Sequence, residues 1–202
     1  MDPADTTERR RGRRPAGEDT RGAILAAART EFGSRGYEAT TMRGIARAAA
    51  VDARLVHHYF GGKEEIFVEA MGFPVRPQEL VPALLSGPRD EIGQRLAFAL
   101  LAIMDSDQGR ARIVAMLSGA LTSDAVARML REFLTREILG PVAAGLGADR
   151  GELRAALSAS HLVGIALARV ILRVEPLASM PAAEVAAIVG PVLRHYLTEP
   201  LD

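Results

Sequence analysis

Residues 40–63 read TTMRGIARAAAVDARLVHHYFGGK, and the fold follows from this stretch. Thr40 or Thr41 can cap a short helix carrying Ile45, Ala46 and Ala49, because a threonine hydroxyl accepts from the free N–H groups of a first turn. Ala50, Val51 and Asp52 form a tight turn, and Asp52 is placed to cap a second short helix from about Ala53 to Phe60. Ile45 and Val51 are apolar where the two helices must pack, and Ala46 and Ala49 are small where their backbones approach. Val56 and Phe60, one helical turn apart, face inward. Arg54, Leu55, His57 and His58 are left on the outer face. Arginine and histidine donate to base edges and phosphates, and leucine can meet a thymine methyl. This is the pattern of a helix-turn-helix over about residues 41–60, whose second helix lies in the DNA major groove.

The flanks extend the helical pattern in both directions. Residues 1–17 are polar, with Arg9, Arg10, Arg11, Arg13 and Arg14 ahead of Pro15 and Gly17, and read as a flexible basic arm. From Asp19 the apolar positions Ile24, Leu25, Ala28 and Phe32 recur at helical spacing, and Gly36 is a stop signal. Gly61 and Gly62 break the chain before a helix that starts near Lys63. Beyond Gly72-Phe73-Pro74, helices are predicted over 77–86, 89–105, 108–120, 123–146, 150–174 and 182–198. Kinks or ends are expected at Pro141 and Pro191, where proline removes a backbone donor and crowds the preceding turn. No alternating apolar run of strand length is present. The class is all-α: a three-helix N-terminal domain over 18–75 carrying the helix-turn-helix, then a larger helical domain over 76–202.

Composition removes several alternatives. The 202 residues are 49% hydrophobic and 25% charged, the balance of a globular chain. No cysteine is present, which excludes disulfides, thiolate metal sites and a cysteine nucleophile. Neither a glycine-rich phosphate loop nor a nucleophile elbow occurs, and His57 and His58 are adjacent and diverge on a helix. No catalytic residue, cofactor or metal is therefore expected. The longest stretch without Asp, Glu, Lys or Arg, 155–168, has 14 residues, short of the ~20 that span a bilayer. With no apolar run close behind the N-terminal arginines, no secretory signal is expected and the location is expected to be cytoplasmic. The net charge of zero hides an asymmetry: 12 basic against 8 acidic residues in 1–63, then 13 against 17. A basic head on an acidic body suits nucleic acid.

The segments Ile24-Leu25-Ala26-Ala27-Ala28, Phe32, Gly36-Tyr37, Thr40 to Ala46, Ala49-Ala50-Val51 and His58 to Ile66 together resemble the N-terminal domain of TetR-family transcriptional repressors. The likeness runs over about residues 17–75 without a gap. It implies that Thr41, Arg43, Tyr59 and Lys63 touch DNA phosphates, while Arg54, Leu55, His57 and His58 read or flank bases. Helix starts attract anions, which agrees for Thr41 and Lys63. The arginine arm could reach the adjacent minor groove. Three positions depart from the family pattern. Ala50 stands where glycine is usual in the turn, Asp52 where serine often opens the recognition helix, and His57 where tyrosine is common.

The resemblance further implies a homodimer on a double-stranded palindromic operator, released by a small-molecule effector bound in the helical body. Apolar faces suited to a dimer lie at Leu153, Leu157, Leu162, Ala166 and Val170, and at Val185, Ile188, Val189, Val192 and Tyr196. Phe98, Met104, Met116 and Phe133 are candidates for an effector pocket or for plain core, and His161 for a pocket wall or a hydrogen-bonded core or interface histidine. The expected effector is small and largely apolar, because residues 89–175 offer Leu, Ala, Met and Val with few polar groups. Two other readings stay open: a dimeric regulator without an effector, and a helical enzyme or carrier with an incidental hairpin.

Overall fold

The computed structural model describes residues 18–201, so the arginine arm at 1–17 lies outside the described residues. Among the described residues, eleven α-helices follow one another: α1 (Glu18–Ala39), α2 (Met42–Ala48), α3 (Ala53–Tyr59), α4 (Lys63–Met71), α5 (Pro77–Leu85), α6 (Ile92–Asp105), α7 (Asp107–Thr122), α8 (Asp124–Glu132), α9 (Gly140–Gly145), α10 (Gly151–Ala166) and α11 (Ala182–Thr198). A 3₁₀ turn at Arg89–Glu91 leads into α6, and π-helical turns follow α8 (Phe133–Leu139) and α10 (Leu167–Ile171). No strand occurs among the described residues.

The first four helices share one small core. Ile24, Ala28 and Phe32 of α1 meet Ile45, Val56, Phe60, Ile66 and Phe67, all essentially without solvent contact. Aromatic edges hold it together, with Phe67 set edge-on against both Phe32 and Tyr37 at 4.9 and 4.8 Å. Gly36 breaks α1 as expected (φ 78°, ψ 173°). The buried hydroxyl of Thr40 then donates to the Gly36 carbonyl at 2.8 Å, which turns the chain toward α2.

In the body, α6 and α11 pack almost backbone to backbone. A Cβ on Gly93 would collide with the carbonyl of Gly190, and one on Gly190 would lie 2.8 Å from Cα of Gln94. Only glycine fits at this crossing. Proline disturbs the helices less than the sequence suggests. Helix α11 runs through Pro191 without ending. Before Pro141 the helix widens instead of breaking. Gly140 donates to the carbonyl of Thr135 in a π pattern. The extra residue in the turn accommodates a proline that cannot donate and would crowd the carbonyl four residues back.

Gly151–Ile171 is continuous enough, at 21 residues and mean hydropathy 1.3, to match a membrane span by length and composition, which the charge-free stretch 155–168 does not reveal. Its two arginines are engaged by protein. Arg154, 2% exposed, donates to the carbonyls of Asp149, Tyr196 and Glu199 and pairs with the Asp149 carboxylate. Arg169 donates to the Leu177 carbonyl at 2.7 Å. Arg154 thus caps the end of α11 from α10 and ties the two helices together.

Candidate nucleic-acid interface

Helices α2 and α3 are held at their relative angle by caps at both starts and a fixed turn between them. The Thr41 hydroxyl accepts from the Gly44 N–H at 3.0 Å, and the Asp52 carboxylate accepts from the Arg54 N–H at 2.7 Å. Between them the Val51 N–H reaches the Ala46 carbonyl at 3.0 Å and the Ala50 N–H reaches that of Arg47 at 3.2 Å. This paired closure is the Schellman arrangement, which places its central residue in the left-handed region. That residue is Ala50, at φ 55°.

Val56 is fully buried, so the opposite side of α3 must face out. Arg54, Leu55, His57 and His58 are exposed there, and Thr41 and Arg43 are exposed beside them on α2. Leu55 stands 40% exposed among these polar groups. Arg47, also exposed, lies one turn beyond Arg43 on α2. The i,i+4 spacing from Arg43 is the signal that could have added it to the predicted set. Tyr59 is half-buried, its ring 5.5 Å from that of His58. Lys63 sits differently from the rest. It is half-buried, its ammonium 4.2 Å from the Tyr37 ring centre and donating to the Glu38 carbonyl at 3.3 Å.

A wholly apolar cavity of about 90 Å³ lies in the body among α6, α7, the α8 π-turn and α10. Met116 and Phe133 line it, with Leu100, Ile103, Ile138 and Ala166. Its volume is well under the ~300 Å³ of a usual ligand pocket. Two expected members are elsewhere. Phe98 stands 48% exposed on α6, because the inward face of that helix is filled by Leu96, Ala97, Leu101 and Met104. His161 is half-buried with its ring 6.0 Å from Tyr196, on the side where α10 meets α11. Burial there lowers its pKa. Met104 is buried but lines a neighbouring pocket.

The cavity wall is also the link to α1 and α4. Phe133 stacks on Phe73, just past the end of α4, with centroids 3.6 Å apart and planes 7° from parallel. From the other face of the same helix, Glu132 accepts from the Tyr37 N–H at 2.8 Å, Arg128 donates to the Gly33 carbonyl at 2.9 Å, and Arg136 pairs with Glu38 at 2.9 Å. Carboxylates crowd this junction. Burial, followed by the charges of Glu64 and Glu38, holds the Glu137 pKa above the ordinary carboxylate value, and burial raises that of Glu64. The Tyr37 hydroxyl is pushed up by burial first and by Glu137 next.

The apolar stripes of α10 and α11 divide between inside and outside. Leu162, Ala166 and Val185 belong to the core, contrary to their assignment to a dimer face. Ile188, 60% exposed, stands outside with Val192 and Leu153.

Residues 24–70 match the family model of bacterial regulatory proteins, tetR family, and residues 90–197 match that of the tetracyclin repressor-like C-terminal domain. The chain is 40% identical over 76 residues to the HTH-type transcriptional regulator BetI of Agrobacterium fabrum, covering 36% of this chain and 37% of the relative. It is 33% identical over 120 residues to the HTH-type transcriptional activator FasR of Mycolicibacterium smegmatis, 52% of each. The chain therefore spans about half the length, or less, of these curated relatives. A solved TetR-family regulator from Streptomyces coelicolor A3 shares 36% identity over 92% of this chain and 98% of its own, with a TM-score of 0.46.

Proposed function

The chain belongs to the tetR family of bacterial regulatory proteins, and on that premise we propose that it is a non-enzymatic, cytoplasmic, dimeric regulator of transcription. It binds a palindromic operator through residues 18–75 and releases it when a small molecule occupies the body formed by 76–202. The observation that carries this reading is α3. It is short, capped by Asp52, buried along Val56, and presents Arg54, Leu55, His57 and His58 to solvent beside Thr41 and Arg43. A seven-residue helix offers few contacts, so two copies about one DNA turn apart, ~34–36 Å or a multiple, supply the affinity. The arginines of residues 1–17 would add contacts in the flanking minor groove. Repression is the sign we favour; the relative named as an activator makes a promoter-reporter measurement the way to settle it.

The dimer forms across Leu153, Ile188 and Val192, which leave an apolar face on α10 and α11. The coupling runs through the helix Asp124–Leu139. One face lines the cavity and, through Phe133, stacks on Phe73 behind α4, and the other grips α1 through Arg128, Glu132 and Arg136. A ligand that shifts this helix turns the head relative to the dimer axis. Such coupling is typically 5- to 150-fold in DNA affinity.

Footprinting on the chain's own promoter region should show two symmetric half-sites; a monomer on one half-site would sink the proposal. Arg54→Ala should relax base preference at a cost of ~1–3 kcal/mol, whereas Arg43→Ala should weaken all sequences alike and lower the salt slope by about 1. The small size of the cavity favours one second reading, a dimeric regulator that answers to no effector. Under it, no apolar compound would both stabilise the protein and release the operator.

A further inference from the structure

A second pocket, of about 340 Å³, is lined by residues one helical turn along from those of the apolar cavity. Its position follows from helical spacing. Ile113, Ala166 and Leu100 line the cavity, while Arg110, Arg169 and Val170, and Met104 line the pocket. Each pair is three or four residues apart on its helix and so lies on one face, one turn along. The same interhelical seam is therefore greasy along its length and cationic at its mouth. Met104, 1% exposed, stands at the junction, and an unbranched thioether is the side chain best able to move aside.

The charges at the mouth are unevenly satisfied. Arg169 donates to the Leu177 carbonyl and faces Asp105 at 3.5 Å. Glu175 accepts the Ser179 hydroxyl at 2.7 Å. Arg110 uses its Nε on the Met104 carbonyl at 3.0 Å and makes no ion pair among the described residues. Arg173 likewise makes none, and its backbone is held at φ 52°, a conformation an L-residue adopts at a cost. Two guanidinium groups thus line, with Glu175, a pocket in which neither has an ion-pair partner among the described residues, one helical turn from a cavity lined only by apolar side chains.

We propose that the effector is an amphipathic anion, a short straight-chain carboxylate, its head group between Arg110 and Arg173 and its alkyl tail lying past Met104 in the apolar cavity. This rests on the effector-responsive reading above and names the chemistry of that ligand. A planar carboxylate matches the fork of a guanidinium, which a phosphate-free, uncharged head group cannot exploit. The tail must be slender, since about 90 Å³ is less than the ~150 Å³ cavity that admits benzene.

The test uses the full chain and the n-alkanoates from butanoate to octanoate, each beside the n-alcohol of equal length. Affinity is read by calorimetry and operator release by mobility shift, in wild type and in the Arg110→Gln/Arg173→Gln variant. The expected result is an alkanoate bound and acting at about tenfold or more lower concentration than its alcohol in wild type, a difference that vanishes in the variant while alcohol binding stays unchanged. Equal potency of acid and alcohol in wild type would overturn the proposal, and release by the alcohols would leave the effector-responsive reading standing without it. A preference for the acid that survives in the variant would place the head group elsewhere and also overturn it. If neither series binds and neither releases DNA, the proposal fails, and a wider set of apolar compounds that also has no effect would bring down the effector-responsive reading too.

Discussion

Ala50→Gly should stabilise the protein, although it removes a methyl group from the turn that defines the DNA-binding motif. Three helices here end in the same paired hydrogen-bond closure with a left-handed residue at its centre: α2 at Ala50 (φ 55°), α4 at Gly72 (φ 67°) and α9 at Gly147 (φ 62°). An L-residue held there costs about 1–2 kcal/mol, which glycine avoids. Glycine in turn adds about 0.4–1 kcal/mol of freedom to the unfolded chain. Ala50 is exposed, so no packing is lost. The net gain is about 0.5–1 kcal/mol, or roughly 1–4 °C in Tm for a chain of this size. Gly72→Ala supplies the mirror experiment. A Cβ there meets nothing within 4 Å, so its expected loss of about 0.5–1 kcal/mol would be conformational alone. Both are measured by thermal and urea unfolding at one fixed protomer concentration, since dimer stability depends on it. If Ala50→Gly destabilises while Gly72→Ala behaves as stated, the left-handed turn at Ala50 is wrong.

Arg154→Met should destabilise by about 1–3 kcal/mol in urea unfolding, because it removes the part-buried hydrogen bonds to the carbonyls of Tyr196 and Glu199; an unchanged midpoint would show that α11 does not depend on this cap. Ile188→Glu should give a folded monomer in sedimentation, with native circular dichroism and weakened operator binding, whereas Ala166→Asp should unfold the chain because Ala166 is core; a stable Ile188→Glu dimer would exclude this face. Glu137→Gln should raise stability at pH 7. The Glu137 pKa is raised in the fold, so its favourable contribution is complete below the unfolded value of ~4.3 and lost as pH rises through the folded one. The advantage of the variant should therefore close below about pH 4, and an advantage independent of pH would refute the assignment.

The helix-turn-helix was legible because its determinants are local. Ile45, Val56 and Phe60 are buried where a 3.6-residue period puts them, and Asp52 caps α3 as its position before an apolar-periodic segment implies. Where partners are distant in sequence, the same reasoning runs out. Arg154 stands at the start of an apolar helix, and two of the acceptors it caps lie 42 and 45 residues away, beyond the reach of any local pattern. Helices α10 and α11 are apolar on more than one side, and periodicity cannot say which side meets the core and which a second subunit. Leu162, Ala166 and Val185 went inward and Ile188 and Val192 did not, and on α11 the close crossing with α6 at Gly93 and Gly190 fixes which side faces the body. Phe98 stays outside for a related reason, since the inward face of α6 is already filled.

Pro141 shows how a local rule can be met without its usual consequence. A proline in a helix must lose one donor and relieve one clash, and a break at that point would satisfy both. In this chain the helix satisfies both by admitting one extra residue, so that Gly140 bonds to Thr135. The choice matters for function because of what the uninterrupted helix touches. Phe133 and Ile138 in the widened turn line the cavity, Phe133 also stacks on Phe73, and Glu132 and Arg136 hold Tyr37 and Glu38 at the end of α1. Contacts to the cavity and to α1 thus share residues 132–138, and the widened turn within that segment is the one whose hydrogen bonds are easiest to rearrange.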